Sequence, residues 1–345
     1  MGNKWIEWIS ALFFKNKDNP VAYNLLGHAH RNPGEYNSAI ENLDKTIQIN
    51  PQDAETYLNR GVAYYKKGEY DRAIKDFNKA IQINSQDAEA YYNRGVAYYK
   101  KGEYDHAIKD YNKTISINPK YAEAYYNRGV VYDDKGQYDR AIEDYNKAIS
   151  INPQDAMAYY NRGLTYGKGK GEYDRAIEDF NKAIQINPQD AEAYTNRGLA
   201  YGMGKGEYDR AIEDFNKAIN INPQDAEAYN NRGGAYYKKG KYDSAIEDYN
   251  ILITINPQLA EAYANRGGAY GDKGQYDRAI KDFNKAIQIN PQFTSAYNIR
   301  GFAYVMKKQY DKARRDLEKA MQLDPNGPVG QEARKALNQL KQMGH

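Results

Sequence analysis

Apolar and small residues recur along this chain in two short helical bursts, and the pair of bursts repeats every 34 or 35 residues. Residues Ala88 to Tyr121, AEAYYNRGVAYYKKGEYDHAIKDYNKTISINPKY, show one period, numbered here from position 1. In positions 2 to 13 the apolar or small residues fall at 3, 4, 8, 10 and 11, and in positions 18 to 31 at 20, 21, 24, 27, 28 and 30. Both sets follow helical spacing and predict two amphipathic helices. Between them KKGEY supplies a glycine at which the chain turns, and Asn-Pro after the second burst ends that helix. The Asp of the following PQD, Asp155 for example, is placed to cap the next first helix, while Glu123 or Glu192 in its first turn complements the helix dipole.

The glycine of an NRG triplet, with IRG in the last copy, marks the period at Gly61, Gly95, Gly129, Gly163, Gly198, Gly233, Gly267 and Gly301, in steps of 34, 34, 34, 35, 35, 34 and 34 residues. A helix hairpin of this size cannot bury its apolar face alone, so copies must stack, and a stack presents a surface rather than a cleft. Gly95 and Ala107 supply the small contacts for close approach of the two helices. Length measures copy number here, and one elongated array is the better count than several globular domains.

In Ala122 to Asp155 the marked positions read Tyr125, Arg128-Gly129, Tyr132, Ala141, Tyr145, Ala148 and Pro153. This resembles the tetratricopeptide repeat family, whose pattern has an aromatic at 4, Leu-Gly at 7 and 8, Tyr at 11, Ala at 20, Phe at 24, Ala at 27 and Pro at 32. Only position 7 departs, with Arg for Leu. The frame fits nine units, 20–53, 54–87, 88–121, 122–155, 156–190, 191–225, 226–259, 260–293 and 294–327, about nine tenths of the chain. Ser85 replaces the terminal proline of one unit, Thr114 and Leu252 replace the second alanine, and His30 replaces Tyr in the first. The resemblance implies an all-α solenoid, a right-handed superhelix of stacked antiparallel helix hairpins with terminal capping helices.

Two units gain a residue, in YGKGKGEY and YGMGKGEY, where others read YYKKGEY. Gly167, Gly169, Gly202 and Gly204 then fall at the end of the first helix, which is expected to fray or shorten. The insertion reads either as a flexible lip or, more plainly, as a loop change that surface turns tolerate. After the repeats, residues 328–345 carry apolar Val329, Ala333, Ala336, Leu337 and Leu340 on one helical face, the pattern of a C-terminal capping helix. Residues 1–19 hold WIEWISALFF, and the repeat frame extended backwards puts Trp5, Ile6, Ile9, Leu12 and Phe13 at the apolar positions of a second helix. Residues 4–15 are therefore either a degenerate half-repeat that caps the array or an interfacial helix that docks on a membrane or partner. Ten residues holding Glu7 and Ser10 are too short to span a bilayer of about 30 Å.

Charge narrows the partners. Lys and Arg number 49 and Asp and Glu 46, mixed within every copy, so no basic stripe points to nucleic acid. Cysteine is absent, which excludes disulfides and thiolate metal sites. The mean hydropathy of −0.96 conceals a large apolar content, because 36 of the 46 aromatic residues are Tyr. Among His28, His30, His106 and His345 no pair has the i, i+4 spacing of a helical metal site. GKGKG lacks the context of a phosphate loop, and no nucleophile motif or singular carboxylate pair occurs. The expectation is a non-enzymatic protein without cofactor, metal or small-molecule substrate, cytoplasmic or peripheral to a membrane.

The family resemblance also implies where a partner binds, since positions 2, 5, 6, 9, 12 and 13 of the first helices line a concave groove in such arrays. The candidates are Tyr92, Tyr126 and Tyr160 at position 5, Asn93, Asn127, Asn161, Asn196 and Asn231 at position 6 (with Asn59 and Asn265 in the same row), and Tyr65, Tyr99 and Tyr237 at position 12. Tyrosine gives contact area at low entropy cost, and asparagine can bond both donor and acceptor groups of a peptide. Two readings of the Asn row stand, ligand contact and bonding between neighbouring helices. The Arg row from Arg60 to Arg300 is read as structural, with carboxylates such as Asp110 and Asp144 as partners. The residues of a carboxylate clamp for acidic tails are not present: positions 5 and 9 read Leu58 and Val62, or Tyr92 and Val96. These features describe a protein-interaction scaffold that takes a peptide segment of a partner, with a self-assembling or membrane-associated array as the alternative.

Overall fold

The computed structural model describes residues 36–344, so the reading of residues 4–15 as cap or anchor lies outside the described residues. Every regular element among the described residues is a helix, and these fall into two compact units, one ending at Lys170 and one beginning at Gly171. The first unit holds Tyr36–Ile49, then the hairpins Ala54–Lys66/Tyr70–Ile83, Ala88–Lys100/Tyr104–Ile117 and Ala122–Asp134/Tyr138–Ile151, then Ala156–Leu164. The second opens on Tyr173–Ile186 and continues through Ala191–Leu199/Tyr208–Ile221, Ala226–Lys238/Tyr242–Ile255, Ala260–Asp272/Tyr276–Ile289 and Thr294–Met306/Tyr310–Leu323 to a last helix, Pro328–Gln342. The first helix of each hairpin is called A below and the second B.

Local chemistry sets these limits. The Asp87 carboxylate accepts from the backbone N–H groups of Glu89 and Ala90 at 3.0 and 3.1 Å, and Asp155 does the same for Met157 and Ala158, which satisfies donors that a helix start leaves open. At the A-to-B turn the chain passes through the left-handed region, with φ of 78° at Gly68 and 75° at Gly102, a conformation that glycine adopts without a steric penalty. Lys308 occupies the same place in the last hairpin at φ 56°.

Within a hairpin the B helix buries its alanines completely, as at Ala73, Ala107 and Ala141. The aromatic residue at position 24 packs where the A helix carries the marker glycine. A Cβ on Gly95 would stand 2.8 Å from the Tyr111 ring, and one on Gly129 would stand 2.9 Å from that of Tyr145. The close approach expected of Gly95 and Ala107 is seen: Gly95 leaves room for the Tyr111 ring and Ala107 is fully buried.

The Arg row is built into the same packing. Arg128 donates from Nε and Nη2 to the two carboxylate oxygens of Asp144 at 2.7 and 2.6 Å, and from Nη1 to Asn112 of the preceding repeat. Arg94 pairs with Asp110 and Asn78, Arg232 with Asp248 and Asn216, and Arg266 with Asp282 and Asn250 in the same way. One guanidinium thus joins the A and B helices of its own hairpin and ties them to the B helix before. Burial pushes these guanidinium groups down and the carboxylate bonds push them further up, so they stay charged.

The two longer units shorten their first α-helix, as expected, without fraying. The α-helix ends early, at Leu164 and Leu199, but the chain goes on as a π-turn over Thr165–Gly169 and Ala200–Gly204, which absorbs the extra residue. The glycines there serve packing as well: a Cβ on Gly169 would meet the Tyr138 ring at 2.9 Å, and one on Gly204 would run into the ring of Tyr173. Thr165, buried in the first of these turns, donates to Asp133 of the preceding A helix at 2.6 Å.

The last helix begins with Gly327 as its N-cap residue and Pro at its first turn, and the Asp324 carboxylate accepts from the Val329 and Gly330 N–H groups at 3.1 and 3.2 Å. Its Ala333, Ala336, Leu337 and Leu340 form one cluster with Ala313, Leu317 and Ala320 of the helix before.

Candidate functional site

The candidate residues lie on A helices, and one rule links several of them: a side chain on one A helix bonds another 35 residues on, one repeat plus one position. Asn127 Nδ2 donates to the Tyr92 hydroxyl at 2.9 Å and Asn161 Nδ2 donates to that of Tyr126 at 2.6 Å. Position 6 of one repeat therefore rests on position 5 of the repeat before. Asn127 also donates to Glu123 C=O at 2.9 Å, as Asn93 does to Glu89 C=O at 3.0 Å and Asn196 to Glu192 C=O at 2.9 Å. The bonding between neighbouring helices is thus made, and it occupies the amide N–H groups. The Asn127 Oδ1 and the Tyr92 O–H hydrogen take no part in it.

Position 12 follows the same step with different chemistry. The Tyr99 hydroxyl donates to Asp134 at 2.9 Å and the Tyr237 hydroxyl donates to Asp272, each carboxylate again 35 residues on. Each ring also meets a tyrosine at the start of its own B helix, Tyr65 with Tyr70 at 5.5 Å, Tyr99 with Tyr104 at 5.9 Å and Tyr237 with Tyr242 at 5.5 Å between centroids. Tyr160 is 8% exposed, and Asn231 is half-buried in the second unit. Tyr65, Tyr92, Tyr99, Tyr126 and Asn127 are gathered in the first unit, with Asn196, Asn231 and Tyr237 in the second.

Three residues of this surface escape a reading of the repeat. Tyr121, like Leu259 and Phe293, stands where Asp53, Asp87, Asp155, Asp190 and Asp225 cap their helices, and its ring stacks on Tyr92 at 5.0 Å. Asp134 and Asp272 replace the Lys of position 13, and the signal that exposes them is the 35-residue step from a tyrosine. A recess of about 710 Å³ opens at the start of two successive A helices, lined by Glu55, Leu58 and Asn59 and by Asp87, Glu89 and Tyr121. These include positions 2, 5 and 6.

Burial penalises the phenolate form of these tyrosines. The phenol of Tyr92 is pushed up to about 12 by burial, and those of Tyr99 and Tyr237 to about 12 by burial and by donation to Asp134 and Asp272. A folded-state value above the unfolded one of about 10 means that stability is complete below pH 10 and is lost as pH rises from 10 to about 12. We expect absorbance at 295 nm to show a class of tyrosines ionising only as the far-ultraviolet circular dichroism collapses. Replacing Tyr99 and Tyr237 by Phe should move the alkaline transition upward.

Among the described residues no group of His, Cys, Asp and Glu side chains could hold a metal ion, and no helix is long and apolar enough to cross a membrane.

The chain matches the TPR repeat family model at residues 27–68, 63–102, 170–204, 204–240 and 233–274. Tetratricopeptide repeat models match at 88–121, 122–155, 144–178, 260–293 and 294–326. Among curated proteins none matches the chain. A solved MamA protein is 36% identical over 50% of this chain and 94% of its own, with a TM-score of 0.44. A tetratricopeptide repeat protein from Parabacteroides merdae ATCC 43184 is 24% identical over 75% of this chain and 98% of its own, with a TM-score of 0.53. The APC/C hetero-tetramer Cut9–Hcn1 contains a chain 18% identical over 98% of this chain and 67% of its own, with a TM-score of 0.54. The last two share the all-helical repeat fold. With family models matched from residue 27 to residue 326 and stacked A and B helices along the described chain, this protein belongs to the tetratricopeptide repeat family.

Proposed function

We propose that this protein is a non-enzymatic interaction scaffold that holds an extended or helical peptide segment of a partner protein against the A-helix face formed by positions 5, 6 and 12. The observation that carries the reading is the paired display of Tyr92 with Asn127 and of Tyr126 with Asn161. Each bond between repeats fixes both side chains and leaves a hydroxyl hydrogen and an amide oxygen for a ligand, a donor and an acceptor matched to a peptide group. Fixing them beforehand lowers the entropy cost of binding. The neighbouring rings, Tyr121 on Tyr92 among them, supply the apolar area that hot spots require.

The test is capture of partners from a cell extract by the full chain, with Tyr92, Tyr126 and Tyr160 replaced together by Ala. Each truncation should cost about 2 kcal/mol of binding, enough to abolish capture. Undiminished capture by a variant whose helical signal and melting are retained would overturn the groove assignment.

A further inference from the structure

The asparagine after each B helix, from Asn50 to Asn290, is held in the same way. Its Oδ1 accepts from the backbone N–H two residues on, as Asn50 does from Gln52 at 3.3 Å and Asn152 from Gln154 at 3.2 Å. The next residue is Pro except at Asn84, where Ser85 follows and the bond from Gln86 at 3.1 Å is kept. Proline has no N–H to lose, so these amides cannot close onto the next backbone nitrogen. The last boundary differs: Asp324-Pro325-Asn326-Gly327 stands where most copies read Asn-Pro-Gln, and it contains the sequence's one Asn-Gly step. Asn326 is exposed in the bend between helices 310–323 and 328–342, where its C=O accepts from Gln331 Nε2 at 3.0 Å. No hydrogen bond to a described residue holds its side-chain amide or the Gly327 N–H. Packing imposes the glycine, since a Cβ on residue 327 would run into the Asp324 carboxylate that the Val329 and Gly330 N–H groups fix in place. The Gly327 nitrogen therefore has no side chain of its own to shield it.

We propose that Asn326 is a site of spontaneous modification, where deamidation to isoaspartate loosens the helix that closes the array. The Gly327 N–H gives its proton to hydroxide and the nitrogen attacks Asn326 Cγ. The new C–N bond closes a succinimide ring, and the Cγ–Nδ2 bond breaks to release ammonia. Water then opens the ring at either carbonyl. Addition at Cγ leaves aspartate on the original main chain, and addition at the backbone carbonyl carbon leaves isoaspartate, with the chain running through Cγ. Nothing is oxidised or reduced. The isoaspartyl product lengthens the main chain by one carbon next to the N-cap Gly327, and it turns the carbonyl that Gln331 engages into a chain-branching carboxylate. Both changes displace the start of helix 328–342 from its seat on Ala313, Leu317 and Ala320. The charge alone does not, because a carboxylate before a helix start is favourable.

The test is incubation of the full chain in mildly alkaline buffer, followed by peptic digestion in acid, where the amide is stable, and mass spectrometry. The fragment holding Asn326 should gain the mass of amide-to-acid conversion, faster as pH rises, and should become a substrate for isoaspartyl methyltransferase. The fragment holding Asn84 should stay amide over the same period, since its side chain is pinned and serine follows it. Hydrogen exchange on the same digests should accelerate in helix 328–342 of the converted protein and stay unchanged in helices 36–49 to 276–289. Asn326→Asp, which adds the charge without the extra carbon, and incubated Asn326→Gln should both exchange as the fresh protein does. An Asn326 amide that persists, or that converts no faster than Asn84, would overturn the assignment of the site. Equal exchange of helix 328–342 in fresh and converted protein, or equal acceleration in N326D, would overturn the link between the isoaspartyl bond and the closing helix.

Discussion

Replacing Asp144 by Ala lowers the stability of the array by about 3–5 kcal/mol, the cost of leaving a buried guanidinium without its counter-charge. The Asp144 side chain is 7% exposed and that of Arg128 18%, so solvent screens the pair weakly. Arg128 lies over the rings of Tyr125 and Tyr132 at 5.6 and 6.0 Å, which hold its plane and prevent it from swinging out to water. Without Asp144 its only other strong partner is Asn112, a neutral acceptor. The loss should be local, because a stack of repeats is coupled through nearest neighbours. Hydrogen exchange should accelerate most in helices 104–117, 122–134 and 138–151. Converting both Arg128 and Asp144 to Leu should recover most of the loss, since apolar pairs of similar volume often replace buried ion pairs without penalty. Urea unfolding of the three proteins checks this, and a D144A cost under about 1 kcal/mol would show that the rung is dispensable.

That rung was half legible in the sequence. Arg at a position where the family carries Leu must find a carboxylate, and an Asp at position 23, 16 residues on, stands on the facing helix. Asn112 was not legible, because position 25 reads as a solvated helix face until the preceding repeat is stacked against it. The same distinction runs through the candidate site. Hairpin limits follow from proline, glycine and Asp acting on their own neighbours, so a linear pattern carries them. The Tyr92–Asn127 and Tyr99–Asp134 contacts depend on the 35-residue step, which becomes visible only when one helix is laid on the next. Gly169 and Gly204 suggested fraying because helix propensity was the only term in view, yet ring packing by Tyr138 and Tyr173 decides their conformation.

Adjacent glycines in one A helix should respond to the same substitution with opposite sign. A Cβ at Gly267 would lie 2.9 Å from Cε1 and 3.1 Å from Cζ of Phe283, whose side chain is fully buried and cannot retreat. A Cβ at Gly268 would meet nothing within 4 Å. Both positions are helical, so alanine gains about 1 kcal/mol at each by restricting the unfolded chain. At Gly268 that gain stands alone, and Gly268→Ala should stabilise by roughly that amount. At Gly267 overpacking costs about 1–3 kcal/mol and outweighs it, so Gly267→Ala should destabilise. Gly267→Val adds two methyl groups against the same ring and a stiff χ1, and should cost about 3 kcal/mol. If the Phe283 contact is the cause, Phe283→Ala should relieve most of the Val penalty in a double-mutant cycle, whereas leucine would not, since Leu317 at position 24 already stands 3.0 Å from a Cβ on Gly301. Equal melting temperatures for Gly267→Ala and Gly268→Ala would mean that the helices separate at little cost, and that the marker glycine is not what sets their approach.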